Sequence, residues 1–142
     1  MRLIDNRTGL EVLGRDECLR LLEGQVIGRV AVADGGQPEI FPVNYVLHRE
    51  EIILRTAPGT KFDAAVRNRP VAFEIDAADA TYHAGWSVVV AGHAREITDP
   101  DRLAEARALP LRPWAEGEKA HFVAIRTERV TGRRIVPVDS GD

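Results

Sequence analysis

The sequence predicts a mainly β domain with short helices, its six or seven antiparallel strands closed into a small barrel. Two observations carry this expectation. Six or seven short strand-like segments stand against only three short helical ones, too few to cover both faces of a doubly wound sheet. A small antiparallel sheet also leaves edges open, and closing it removes them. At 142 residues the chain is one domain, long enough to bury a core. The expected boundaries are an N-terminal arm over 1–12, the domain over 13–138 and a tail over 139–142.

In chain order, "RDECLRLLEG" is a helix that Asp16 can cap, with Leu19 and Leu22 on one face and Gly24 as its stop. "VIGRVAVA" is the first strand and "DGGQ" (34–37) a hairpin signal. The second strand, "PEIFPVNYVLH", holds Pro42 in its middle. Proline cannot donate to a ladder, so this point is an edge, a bulge or a break. "EEIILRTA" is the third strand. In "PGTKFDAAVRNRP", Thr60 and Asp63 resemble a capping box, Phe62, Ala65 and Val66 share a side, and Pro70 ends the helix. "VAFEID" is the fourth strand. "WSVVVAGHAREI" is the fifth, alternating Trp86, Val88 and Val90 against Ser87, Val89 and Ala91. "TDPDRLAEARAL" is a capped helix with proline in its first turn. "LRPWAEGEK" is a loop. A sixth strand lies near Phe122–Arg126 and a seventh near Arg134–Val138.

Composition narrows the function. A net charge of −3 with interspersed signs and no basic tail argues against a nucleic-acid partner. The acidic loop around Asp76 and Asp79 would also repel nucleic acid and anionic lipid. No run reaches the roughly eighteen apolar residues of a membrane span, and no signal-like start is present, so a soluble cytoplasmic protein is expected. A single cysteine, Cys18, excludes an internal disulfide and is expected to be buried and inert. Four scattered histidines without paired carboxylates give no metal site.

The richest stretch is "ILRTAPGTKFDAAVRNRPVAFEID". The chain has two lysines against seventeen arginines, and one lysine, Lys61, heads the helix six residues after Arg55. A phosphate needs fixed donors and positive charge, preferably at a helix start. Arg55 offers a planar fork, Thr56 a hydroxyl, Lys61 a mobile charge, and Gly59 lets the backbone approach. The spacing equally suits an outward strand arginine, ordinary strand composition and a solvated lysine. It is not a P-loop. "FPVNYVL" is a second candidate: Pro42 leaves backbone groups free, the Asn44 amide suits a heterocycle edge, and Tyr45 can pack a ring or the core.

The order of elements, with "CLRLLEGQVIGRVAV", "FPVNYVL", the Arg55–Lys61 stretch, "WSVVVAGHAREITDP" and "RTERVTGRRI", resembles the pyridoxamine 5'-phosphate oxidase-like family of FMN-binding split β-barrels. The likeness is to its small branch related to nitroimidazole-resistance proteins and spans Asp16 to Ile135. It implies a homodimer with two flavins at the subunit interface. It would have Arg55, Thr56 and Lys61 hold the FMN phosphate, and Pro42, Val43 and Asn44 run beside the ring. Trp86 and Ser87 would approach from either subunit, with Arg133 or Arg134 closing the site. Thr60 stands where many members carry arginine. The implied function is an FMN-dependent oxidoreductase transferring hydride or electrons to a small organic substrate. The alternatives are a reductase using the deazaflavin F420, with Arg67, Arg69 and Arg133 meeting its acidic tail, or a non-catalytic flavin or haem carrier. No second basic cluster supports vitamin B6 oxidation. Flavin chemistry requires no protein nucleophile. His83, in the loop before Trp86, is placed to face the flavin or substrate, and His93 lies in the fifth strand on the face opposite Trp86; His48 lies in a turn, His121 begins the sixth strand, and Trp114 either flanks the cofactor or anchors its loop.

Overall fold

The structure is a computed structural model that describes residues 3–34, 36–111 and 120–135. Its elements are β1 (Leu3–Ile4), β2 (Glu11–Leu13), α1 (Arg15–Glu23), β3 (Ile27–Asp34), β4 (Gln37–Asn44), β5 (Val46–His48), β6 (Glu51–Thr56), α2 (Lys61–Val66), β7 (Arg69–Asp79), β8 (Ala84–Glu96), α3 (Pro100–Arg107), β9 (His121–Arg126) and β10 (Arg129–Ile135). The strands form one antiparallel sheet. Seven lie in the order β1-β2-β10-β8-β7-β3-β4, and β5, β6 and β9 branch from it.

The branch arises in β8. One side of this strand pairs with β7 over Ala84–Ala94; the other pairs with β10 over Gly85–Ala91 and then with β9 over Ala94–Glu96. The expected split barrel is therefore corrected: the sheet is not closed. The main path ends at β1 and β4, the branch ends at β5, and among the described residues no ladder joins these ends. Pro42 does sit on an edge strand, where its missing N–H is tolerated. The chain breaks three residues later. At Tyr45 the backbone N–H turns back to the Val26 carbonyl at 3.1 Å, and a three-residue β5 follows.

Two apolar clusters hold the fold. Phe73, Tyr45, Leu22, Ile52 and Leu54 belong to the larger; Ile53, Ile97, Ala106, Leu111 and Phe122 form the smaller, under α3. Because strand side chains alternate, β6 feeds both: Ile52 and Leu54 one way, Ile53 the other. Trp86, Val88 and Val90 all reach the larger cluster, as the alternation of β8 predicts. Close approaches require glycine at several positions, two of them in the core. A Cβ on Gly28 would lie 2.3 Å from the Phe73 ring, and one on Gly132 would lie 2.6 Å from Cys18 Sγ.

Several sequence expectations shift at the ends of elements. The N-cap of α1 is Gly14, without a side-chain cap bond; Asp16 lies in the first turn instead. Helix α2 stops at Val66, with Asn68 at φ +60°, so Pro70 falls inside β7 and does not end the helix. Asp99 caps α3 by accepting from the Arg102 N–H at 3.0 Å, with Pro100 next. Residues 3–4 and 11–13 pair as β1 and β2, and β2 joins β10. The last strand starts at Arg129; residues 136–138, the 139–142 tail and Trp114 lie outside the described residues.

Candidate functional site

At the β6–α2 corner the alternation of β6 decides what Arg55 and Thr56 can reach. Thr56 lies on the side of Ile52 and Leu54, and its hydroxyl donates to Asp63 Oδ1 at 2.7 Å. Arg55 lies on the side of Ile53. Its Nη1 donates to the Leu111 carbonyl at 3.1 Å, and its guanidinium carbon stands 5.3 Å from the Phe122 ring centre. The two neighbours thus serve opposite faces of the strand.

Lys61 opens α2, and its amine is 2.8 Å from Glu39 Oε1 on β4. Phe62 follows and packs against Phe41, ring centres 5.0 Å apart. These contacts set the start of α2 beside β4, three residues before Pro42. Lys61 and the Pro42–Asn44 segment therefore share one neighbourhood, while Arg55 faces α3. At six residues, α2 is too short to act as an anion site through its own dipole, which leaves the work to side chains.

Asp63 organises the corner. Its N–H donates to Thr60 Oγ1 at 3.1 Å, which completes half of the predicted capping box. Its carboxylate, 3% exposed at the residue level, does not reach back to Thr60 but takes the Thr56 hydroxyl and faces His121 Nδ1 at 2.8 Å. Burial alone pushes this carboxyl up; the Thr56 and His121 hydrogen bonds, with the charges of His121 and Arg67, outweigh it and hold the group below its ordinary value. An ionised Asp63 accepts, so Nδ1 of His121 carries the proton. His121 Nε2 lies 4.0 Å from Glu96 Oε2, and Glu96 Oε1 is in turn held by Arg67 Nη1 at 3.2 Å.

A second group forms where β8 meets β10. Ser87 is opposite Arg133 and Trp86 opposite Arg134. Trp86 packs on the larger core, while Ser87 faces the other way. Arg133 lies 3.6 Å from Asp5 Oδ2, and Arg134 donates to Glu17 Oε1 at 2.9 Å. The register links this group to β4. Pro42, Arg29, Glu74, Val89 and Thr131 are successive cross-strand partners in one row, and Ser87 and Arg133 lie two residues further along the same face. Arg29 bridges Glu74 at 3.0 Å and Asp76 at 3.4 Å. Burial, then the Asp76 carboxyl, pushes the Glu74 carboxyl up. Ile27 and Ile40 stand on this face, 55% and 68% exposed. Val43, by contrast, points into the core.

Two clefts border the β5–β6–β9 branch. One, of about 590 Å³, is lined by Val26, Asn44, Tyr45, Val46, Leu47 and Leu111. Tyr45 belongs to the core: its hydroxyl donates to the Leu22 carbonyl at 2.5 Å, its ring meets Phe73 edge-on, and burial raises its phenol. The other cleft, of about 700 Å³, is lined by Arg55, Arg107, His121, Leu103, Ile97 and Phe122, among others. His83 is exposed in a turn at φ +48°, His93 is exposed opposite Pro70, and His48 lies 3.9 Å from Glu105. Cys18 is buried, and burial raises its thiol. Among the described residues no three His, Cys, Asp or Glu side chains group to hold a metal. The Asp63–His121 contact and the place of Arg107 were not legible in the sequence. His121 reaches the corner through its ladder with Thr56, a long-range pairing that no local spacing announces.

An open, branched antiparallel sheet with three short helices among the described residues defines a small mainly β domain. The chain belongs to the pyridoxamine 5'-phosphate oxidase family, whose profile matches residues 14–134. It is 41% identical over 129 residues to an uncharacterized protein of Mycobacterium tuberculosis, covering 87% of this chain and 84% of that one. Among solved structures it resembles the FAD binding protein from Mycobacterium smegmatis, with 39% identity, a TM-score of 0.80, and 87% of this chain and 97% of that one covered. A structure described as a 5-nitroimidazole antibiotic resistance protein, from Bacteroides thetaiotaomicron, shares the fold at 15% identity and a TM-score of 0.73, over 87% of this chain and 86% of that one. The fold is that of the pyridoxamine 5'-phosphate oxidase family, shared with the M. smegmatis FAD binding protein and, as a fold alone, with the B. thetaiotaomicron protein.

Proposed function

We propose that the chain is a flavin-dependent oxidoreductase that passes hydride or electrons to a small organic substrate, with the flavin phosphate at Lys61 and the ring along the edge of β4. The observation that carries this reading is the Lys61–Glu39 contact, which seats the first residue of α2 on the strand that holds Pro42. The residues there fit a flavin nucleotide. Among the described residues β4 pairs with β3 alone, so its outer backbone groups are free of a ladder there, and Asn44 lines the adjoining cleft. The Lys61 side chain is 74% exposed, so a phosphate can reach its amine beside Glu39. Thr56 acts on this corner through Asp63, which fixes where α2 begins.

A flavin bound there supplies hydride or single-electron transfer, so the protein's part is to hold, orient and shield. Shielding needs a second surface, because an edge strand leaves a planar ring half in water. A homodimer through the sheet face that carries Ile27, Ile40, Ser87 and Arg133 would supply it, and Ser87 would then approach the flavin from the partner, while Trp86 backs that strand from the core side. Two-fold pairing is the commonest arrangement of this kind. FMN is the form the family resemblance implies; the description of the M. smegmatis relative as an FAD binding protein supports the dinucleotide form. Among the described residues no helix is long and apolar enough to cross a membrane.

The test is to purify the protein under native conditions, release what it carries, and identify it by absorbance and mass. FMN or FAD supports the reading. A deazaflavin, a haem Soret band, or a colourless protein that ignores added flavin contradicts it.

A further inference from the structure

We propose that the cleft between β6, α3 and β9 is an oxyanion subsite, separate from Lys61, that takes the phosphate of an organic ligand through Arg55, Arg107 and His121. Four observations converge on it. First, Arg55 is held in advance: Leu111 and Phe122 fix its guanidinium, while its buried Nε has no hydrogen-bond partner. A buried N–H of an arginine left unpaired is costly, and an anion would satisfy it. Second, Arg107, in the last turn of α3, lines the same cleft and makes no hydrogen bond or ion pair among the described residues. Third, His121 lines the cleft; with Asp63 on Nδ1, its Nε2, 4.0 Å from Glu96 Oε2, donates to an anion in the imidazolium form or accepts from a protonated phosphate. Fourth, the acidic side chain in the cleft, Glu96, is already engaged by Arg67, so Arg55 and Arg107 share the cleft with a carboxylate that has its own cation.

Two arginine forks suit the several oxygens of a phosphate better than a single carboxylate does. Leu103, Ile97 and Phe122 give the remainder of the ligand an apolar wall. The phosphate has two possible sources: the outer phosphate of a flavin dinucleotide, or a separate phosphorylated molecule. Arg107 is exposed at a helix end, so its replacement leaves the core intact.

The experiment is calorimetric titration of the protein as purified, and of Arg107→Gln, Arg55→Gln and Lys61→Ala, with inorganic pyrophosphate, FMN and FAD. Pyrophosphate binding should weaken about tenfold or more in Arg107→Gln and persist in Lys61→Ala. If Arg107→Gln also weakens FAD but not FMN, the source is the dinucleotide. If it spares both flavins, the ligand is a separate phosphorylated molecule. An Arg107→Gln protein that binds every probe as the parent does overturns the proposal. Loss of both flavins in Lys61→Ala with pyrophosphate retained would keep the two sites distinct. Failure of any protein to bind flavin would count against the oxidoreductase reading alone.

Discussion

Asp63 ties together more of the corner than any other single side chain. It caps nothing with its carboxylate, yet it joins β6, α2 and β9 through Thr56, Arg67 and His121. Its folded carboxyl lies below the ordinary value of about 3.9. The sign follows: its contribution is fully present above the unfolded value and is lost as pH falls through the lower folded one. Asp63→Ala strands a buried hydroxyl and should cost about 1–3 kcal/mol at neutral pH. Urea unfolding of both proteins at pH 7 and near pH 3 checks this, because the gap should narrow in acid; a gap that widens contradicts the assignment. Glu39 gives a second residue-level expectation. It competes with phosphate for Lys61, so Glu39→Gln should bind flavin nucleotide a few-fold more tightly, as fluorescence titration would read. Lys61 and Thr56 were visible in the sequence as phosphate candidates because of their residue types. The different jobs they take were not, because the Thr56 hydroxyl is claimed by an acid seven residues on and Arg55 by a carbonyl 56 residues away.

At the scale of elements, the sequence showed what local chemistry determines. The Gly-rich turn of the β3–β4 hairpin, the Thr60 and Asp99 caps and the alternation of β8 are all statements about near neighbours. Element ends fared less well. Asp16 was a plausible cap, but α1 begins two residues earlier than that role requires. Pro70 is the second residue of β7, beside β8 alone, where a proline is accommodated, and α2 had already ended at Val66. The contact of α1 with β10 is a packing fact that only the fold reveals: Gly132 exists so that Cys18 can sit on the strand. Gly132→Ala should cost about 1–3 kcal/mol by overpacking. Adding Cys18→Ala removes the clashing sulfur, so the double variant should lose less than the sum of the two single changes in thermal or urea unfolding. Strict additivity would mean that the strand adjusts elsewhere. Thr60→Ala should cost about 1 kcal/mol through its lost cap, read in the same way.

For the molecule as a whole, the missed feature was closure. Strand count and helix count pointed correctly to a mainly β, antiparallel sheet, and the argument from edges then pointed to a barrel. The sheet instead branches at β8, a strand long enough to serve β10 and β9 in turn, and leaves β4 open. Local sequence cannot specify a branch, since it depends on which two strands share one long neighbour. The open edge and the face with Ile27 and Ile40 are what the proposed dimer uses. Ile40→Lys, on a side chain 68% exposed in the single chain, should shift the protein toward monomer in sedimentation or light scattering while leaving the unfolding midpoint at low concentration unchanged. An unaltered dimer would remove this face from the interface.

The most direct measurement of the central claim, a flavin phosphate held by Lys61 against the β4 edge, is flavin affinity in Lys61→Ala beside that of the parent, each titrated with FMN and with riboflavin, which lacks the phosphate. The account predicts about a tenfold or greater loss for FMN and little change for riboflavin. Equal losses for both ligands, or none for either, would contradict it.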